Sequence, residues 1–278
     1  MRSIVLITSR DQMNHSSNFI KLIILATGWS IFACSDASTG LNKEEKKKTE
    51  STEENISREL TPEEKAKKLV DYNQLKEKIK TEQAAFQKKI KKAGTKGEEK
   101  LIIDAARKYI LTNIGGSIFQ YWYGTSWAFE GTTTEPGCGS VACGYFVTTV
   151  LRDAGFKLPR IKWAQAASET LIQNVTDKKN IKHYIGTDIV KVESAIKLWG
   201  EGLYIAGLDT HVGFILNLGD SIRFVHSNYY EPTKGVCAQQ LNSNNPLKDS
   251  KYRVIGKILN DEMVLRWIEG KELGLTED

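Results

Sequence analysis

Histidine is scarce in this chain, with four in 278 residues, and only His183, His211 and His226 lie beyond residue 34. Any chemistry that needs an imidazole therefore has three positions to draw on. No apolar run approaches the roughly 20 residues of a bilayer-crossing helix. No internal repeat is present, which excludes a solenoid or propeller. Five prolines and four cysteines complete an otherwise ordinary globular composition. The length fits one large domain or two small ones. A general basic excess is also missing. The net charge is +5, but residues 41–97 hold 16 lysines and arginines against 11 acids, and residues 98–278 hold 20 against 21. The excess sits on a helical, linker-like segment, so nucleic acid and other polyanions are not expected partners.

What is present begins with a targeting pattern. Lys21 precedes the apolar stretch from Leu22 to Ala33, which stops at Cys34. A run of this length fits a signal peptide better than a membrane span. Ile31-Phe32-Ala33-Cys34, followed by Ser35-Asp36, resembles a bacterial lipobox, in which the cysteine is lipidated and becomes the first mature residue. The alternative is a plain signal peptide, or a short anchor, with an incidental cysteine. Met13 is an alternative start to Met1. Either way the mature chain is expected outside the cytoplasm, tied to a membrane through Cys34 if the lipobox is used. With Cys34 assigned to lipid, Cys138, Cys143 and Cys237 form an odd set, which suggests a free thiol. A Cys138–Cys237 disulfide would leave Cys143 free, although sequence does not fix connectivity.

Four segments follow from the patterning: a signal over residues 1–33, a polar tether over 34–60, a charged amphipathic helix over 61–97 and a domain over 98–278. The tether has too little apolar surface to offset its ordering entropy. Thr61-Pro62-Glu63-Glu64 is a helix start with a capping box. Leu69, Tyr72, Leu75, Ile79, Phe86 and Ile90 then form a narrow apolar stripe. That stripe suits a helix packed by one edge on the next domain, or a stalk. A second helix is expected over Glu98–Thr112, a third opened by Ser140 and stopped by Gly155, and further helices near 163–173 and 190–199. Strands are expected at Leu203–Ala206, His211–Leu216, Ile222–His226, Val236–Gln239 and Tyr252–Ile258. Helices followed by an antiparallel sheet of about five strands predict an α+β domain, here preceded by the long helix.

Cys143 falls in the first turn of the third helix. Unpaired N–H groups there stabilise a thiolate and can hold an oxyanion. Gly144 beside it leaves room for a substrate backbone. A free cysteine is also commonly a small buried hydrophobe. Cys138, five residues earlier, lies in a loop without a helix start. His211 opens one strand and His226 ends the next, so a hairpin brings both rings to one end of the sheet. His183 lies in a polar stretch and reads as a surface residue.

The order cysteine on a helix, histidine on a strand and histidine on the next strand resembles the NlpC-type family of papain-like cysteine hydrolases, which trim bacterial cell walls. Tyr121-Trp122-Tyr123-Gly124 resembles the family's Tyr-x-aromatic-Gly segment upstream of the nucleophile. Cys143-Gly144-Tyr145-Phe146-Val147 resembles its nucleophile motif, and Gly155-Phe156-Lys157-Leu158-Pro159-Arg160 its helix exit. His211-Val212-Gly213-Phe214-Ile215 and Phe224-Val225-His226 resemble its two histidine strands. The resemblance spans residues 98–259. It implies a papain-like fold, Cys143 as nucleophile, His211 as general base, His226 as the group that orients it, and Tyr121 lining the site; Arg160 reads as structural. It further implies hydrolysis of an amide in peptidoglycan stem peptides, with the γ-D-glutamyl to diamino-acid bond leading, no metal or cofactor, and a monomer. An amidase or acyltransferase on another substrate, or an inactive binding module, is the alternative. The family's Asp before the cysteine and Ser-Gly after it are replaced here by Ala142 and by Gly144-Tyr145. The loop Trp127–Gly139 is also longer than in the family.

Overall fold

The computed structural model describes residues 61–274. The expected signal and tether, with Cys34, lie outside the described residues. The chain opens with α1 (Pro62–Ile90) and α2 (Lys96–Asn113). Each starts at a threonine, Thr61 or Thr95, in a complete capping box with Glu64 or Glu98. A π turn (Ile114–Ile118) and the short α3 (Phe119–Trp122) lead to the loop before α4 (Cys143–Asp153). Next come α5 (Arg160–Ala164), α6 (Ser168–Gln173), β1 (Ile181–Ile185) and α7 (Ile189–Trp199). The rest is β2 (Gly202–Leu208), β3 (Val212–Asn217), β4 (Ile222–Ser227), β5 (Val236–Gln239), α8 (Pro246–Asp249), β6 (Tyr252–Lys257) and α9 (Asp261–Glu269). The fold is α+β, with one open antiparallel sheet of six strands in the order β1-β6-β2-β3-β4-β5. Among the described residues no helix is long and apolar enough to cross a membrane.

The sheet has six strands rather than about five because β1 belongs to it. Its sequence, Ile181-Lys182-His183-Tyr184-Ile185, offers no apolar face, and three of its five side chains are exposed. Such a strand sits at an edge, where charge on the surface discourages further pairing. The inner strands are buried on both faces. Leu203, Ile205, Val212, Phe214 and Leu216 point into the main core with α1–α4 and α9. Tyr204, Ala206, Leu208 and Ile215 point the other way, onto Ile189, Val192 and Ile196 of α7. This double coverage explains why β2 and β3 read as continuous apolar runs.

α1 contributes to that main core. Tyr72, Ile79 and Phe86 are buried one heptad apart. The Tyr72 hydroxyl donates to Asp153 Oδ2 at 2.8 Å and accepts from Trp122 Nε1 at 2.9 Å. Gln83 Nε2 donates to the Gly155 and Trp267 carbonyls, and Gln87 Nε2 to that of Glu269. The docking face is therefore partly amide, which is why its apolar stripe looks thin.

Candidate functional site

Cys143 is the first helical residue of α4 and follows Ala142, whose extended backbone and methyl side chain provide no cap. Ser140, expected to open this helix, instead bridges to Ser126. Three bonds fix the approach to the helix. Val141 N–H donates to the Ser126 carbonyl at 2.9 Å, Ala142 N–H to that of Gly131 at 2.8 Å, and Ser227 Oγ to that of Val141 at 2.7 Å. One turn into α4, Phe146 packs edge-on against Phe214 of β3, and Phe119 touches both. Because Phe214 lies three residues after His211, this contact brings the start of α4 to the start of β3.

His211 closes a tight β2–β3 turn: the Leu208 N–H donates to its carbonyl at 2.8 Å. Asp209 in that turn accepts from Ser250 Oγ and from the N–H groups of Lys251 and Tyr252, which pins the turn to β6. The side chain of His211 is 4 % exposed and that of His226 is fully buried. His211 Nε2 lies 2.9 Å from His226 Nδ1, with the rings nearly perpendicular. His226 Nε2 lies 2.9 Å from Gln239 Oε1 on β5, and Phe224 stacks on the His226 ring at 4.3 Å. Gly213 leaves space for that stack, since a Cβ there would lie 2.7 Å from Phe224 and 2.8 Å from His226. The ring of Tyr229 lies 5.1 Å from that of His211, and Trp127 lies 6.0 Å from Tyr229.

His211 Nδ1 is buried and has no hydrogen-bond partner among the described residues. Burial, reinforced by the neighbouring His226, pushes the His211 pKa well below the ordinary imidazole value. Burial likewise pushes His226 down to about 4, with Lys234 adding to the effect and the Gln239 contact opposing it. Both rings are neutral near pH 7. Burial pushes the Cys143 thiol up, opposed by the backbone N–H groups of Val212, Gly144 and Cys143 itself. The resting pair is thus a thiol and a neutral imidazole.

Cys143 and His211 line one cavity of about 180 Å³, with Trp163, Ala164, Ala166, Leu171 and Val212 among its apolar walls. Asp209 is its one charged lining residue. Gly144 also lines it, but the backbone that approaches Gly144 is the chain's own: a Cβ there would lie 2.2 Å from the Ala164 carbonyl oxygen. Tyr121 does not line this cavity. It packs on Tyr72 of α1 at 5.3 Å, and Tyr229 is the tyrosine beside His211. Cys138 and Cys237 are free thiols, not the expected disulfide. Cys237 is buried against Asn228 and His226, while Cys138 lies beside Lys68 of α1. His183 is exposed at the surface and bonds Glu169. Arg160 ties α5 to Thr149 and to the carbonyls of Thr132 and Thr133. Among the described residues no cluster of His, Cys, Asp or Glu could hold a metal ion.

Ser227, Tyr229 and Gln239 enter the site without having been expected from sequence. Tyr229 follows His226 by three residues, and Gln239 ends an expected strand, so the only available signal was proximity to His226. No protein-family model, curated protein or solved structure matches the chain.

Proposed function

We propose that this protein is a cysteine hydrolase that cleaves amide bonds by acyl transfer through Cys143, His211 and His226. The observation that carries this reading is the unpartnered, buried Nδ1 of His211 in the same cavity as a cysteine at an uncapped helix start. A buried ring nitrogen without a partner costs stability, and a catalytic role is one reason for such a group to be kept. In the proposed cycle Cys143 Sγ attacks the carbonyl carbon as its proton passes to His211 Nδ1. N–H groups at the start of α4 stabilise the oxyanion. The C–N bond then breaks, and the amine leaves with the proton from His211. Water, deprotonated by His211, attacks the thioester, releases the acid and restores the thiol.

The motifs around Cys143, His211 and His226 support an NlpC-type, papain-like fold and peptidoglycan stem peptides as substrate, with the γ-D-glutamyl to diamino-acid bond as first candidate. The apolar run from Leu22 to Ala33 that stops at Cys34 supports an extracytoplasmic protein held to the envelope by lipid on Cys34. Cys143→Ala, assayed on purified muropeptides with mass-spectrometric identification of products, tests the reading. Loss of cleavage is expected, and unchanged cleavage by the variant refutes it. The cleaved bond separates a stem-peptide hydrolase from an amidase or acyltransferase on another substrate. The near-complete burial of His211 favours a second reading, an inactive module that binds wall or partner. Under that reading Cys143 would be inert to electrophiles at neutral pH.

A further inference from the structure

A neutral imidazole has one N–H and one lone pair. Two such rings bonded in series therefore have two self-consistent proton arrangements, and the group at the end of the row chooses between them. Here that end is Gln239, half-buried on β5. Its Nε2 donates to the Asn244 carbonyl at 3.5 Å, and its Oε1 lies 2.9 Å from His226 Nε2. A carbonyl can only accept, so the amide NH2 faces Asn244 and the amide oxygen faces His226. The flipped amide would oppose two oxygens. Cys237 Sγ, 4.0 Å from the same ring nitrogen, is the more distant and weaker acceptor.

We infer that Gln239 is a positioning residue that selects the competent tautomer of His211, acting through His226; this rests on the proposed Cys143–His211 chemistry. Oε1 of Gln239 accepts, so His226 carries its proton on Nε2 and presents a lone pair at Nδ1. His211 then donates from Nε2 across the 2.9 Å contact and keeps the lone pair at Nδ1, the unpartnered atom. The reverse arrangement would protonate His211 Nδ1 and leave no base for the thiol. Gln239 is not among the residues lining the cavity, so its influence on the reaction runs through the two rings.

The test uses the full-length protein labelled with nitrogen-15, in which long-range proton–nitrogen correlation reports which ring nitrogen carries hydrogen. Wild type is expected to show His211 protonated at Nε2 and bare at Nδ1. In Gln239→Met the end of the row no longer decides, so the Nδ1–H form should appear and kcat should fall at least about tenfold, with KM little changed. Gln239→Lys replaces the acceptor by a donor and should drive His211 to the Nδ1–H form, with a larger loss of kcat. Finding Nδ1–H in wild-type His211, or wild-type tautomers and kcat in both folded variants, overturns the inference. The tautomer measurement needs no turnover, so it stands apart from the Cys143→Ala assay: cleavage retained there would refute the hydrolase reading while the tautomers still report on Gln239.

Discussion

Acidification should loosen this fold through a histidine rather than through carboxylates. His226 is packed against Phe224, His211, Gln239 and Cys237, and its pKa falls from the ordinary 6.5 to about 4. The unfolded chain takes up this proton first, so the stabilisation from keeping His226 neutral is complete above about pH 6.5 and is lost as pH falls through about 4. A displacement of about 2.5 units corresponds to about 3 kcal/mol, a large part of a typical total of about 5–15 kcal/mol. His211 is lowered in the same direction by its burial, so it too contributes stability that is lost on acidification. Glu169 and Asp209 are held below their ordinary values by hydrogen bonds from Tyr252 and Ser250, so their contributions begin to disappear only under more acid conditions. The assay is urea unfolding followed by tryptophan fluorescence at about pH 7.5 and about pH 4.5 in wild type and His226→Gln. Wild type should lose about 2–3 kcal/mol more than the variant between the two. Equal losses would refute the claim that a buried, neutral His226 governs this range.

Three further outcomes are expected. Gly213→Ala places a Cβ 2.7 Å from Phe224 and 2.8 Å from His226; hydrolysis should fall at least about tenfold for a stability cost of about 1–3 kcal/mol, read by steady-state rates beside thermal melts. Gln83→Leu strips the Gly155 and Trp267 carbonyls of their amide donor and should destabilise the whole domain by about 1–3 kcal/mol, seen as one cooperative shift of the urea midpoint. Because Asp209 is the one charged residue lining the cavity, stem peptides whose glutamyl carboxylate is amidated should be cleaved a few-fold faster than free acids, with the gap narrowing in salt; mass-spectrometric rates on the two substrates check this.

The helix start at Thr61-Pro62 and the strands that begin beside His211 and carry His226 were legible because caps and apolar periodicity are local signals, whereas α4 was expected to open at Ser140 and begins three residues later, at Cys143, where Ala142 provides no cap. β1 was not, since an edge strand carrying Lys182 and His183 has no apolar pattern to detect. The role of α1 was half legible: Tyr72, Ile79 and Phe86 mark its buried side, but Gln83 and Gln87 dock through backbone carbonyls that no periodicity reveals. The site divided in the same way. Cys143, His211 and His226 could be placed by element order. Gln239 and Tyr229 depend on the β4–β5 register and on a loop path. Gly144 was assigned to substrate access, although the backbone pressed against it belongs to Ala164. Tyr121 was placed at the site by likeness of motif, and the packing of α1 puts Tyr72 against it instead. The expected Cys138–Cys237 bond failed for a similar reason, since a count of thiols says nothing about which neighbours each will have.

The central claim is that Cys143 is a nucleophile whose proton His211 removes, and mapped alkylation of the three free thiols among the described residues tests it most directly. At neutral pH a small electrophile should modify Cys143 ahead of Cys138 and Cys237, and His211→Gln should slow that modification at least about tenfold. Preferential reaction at Cys138 or Cys237, or an unchanged Cys143 rate in His211→Gln, would contradict it.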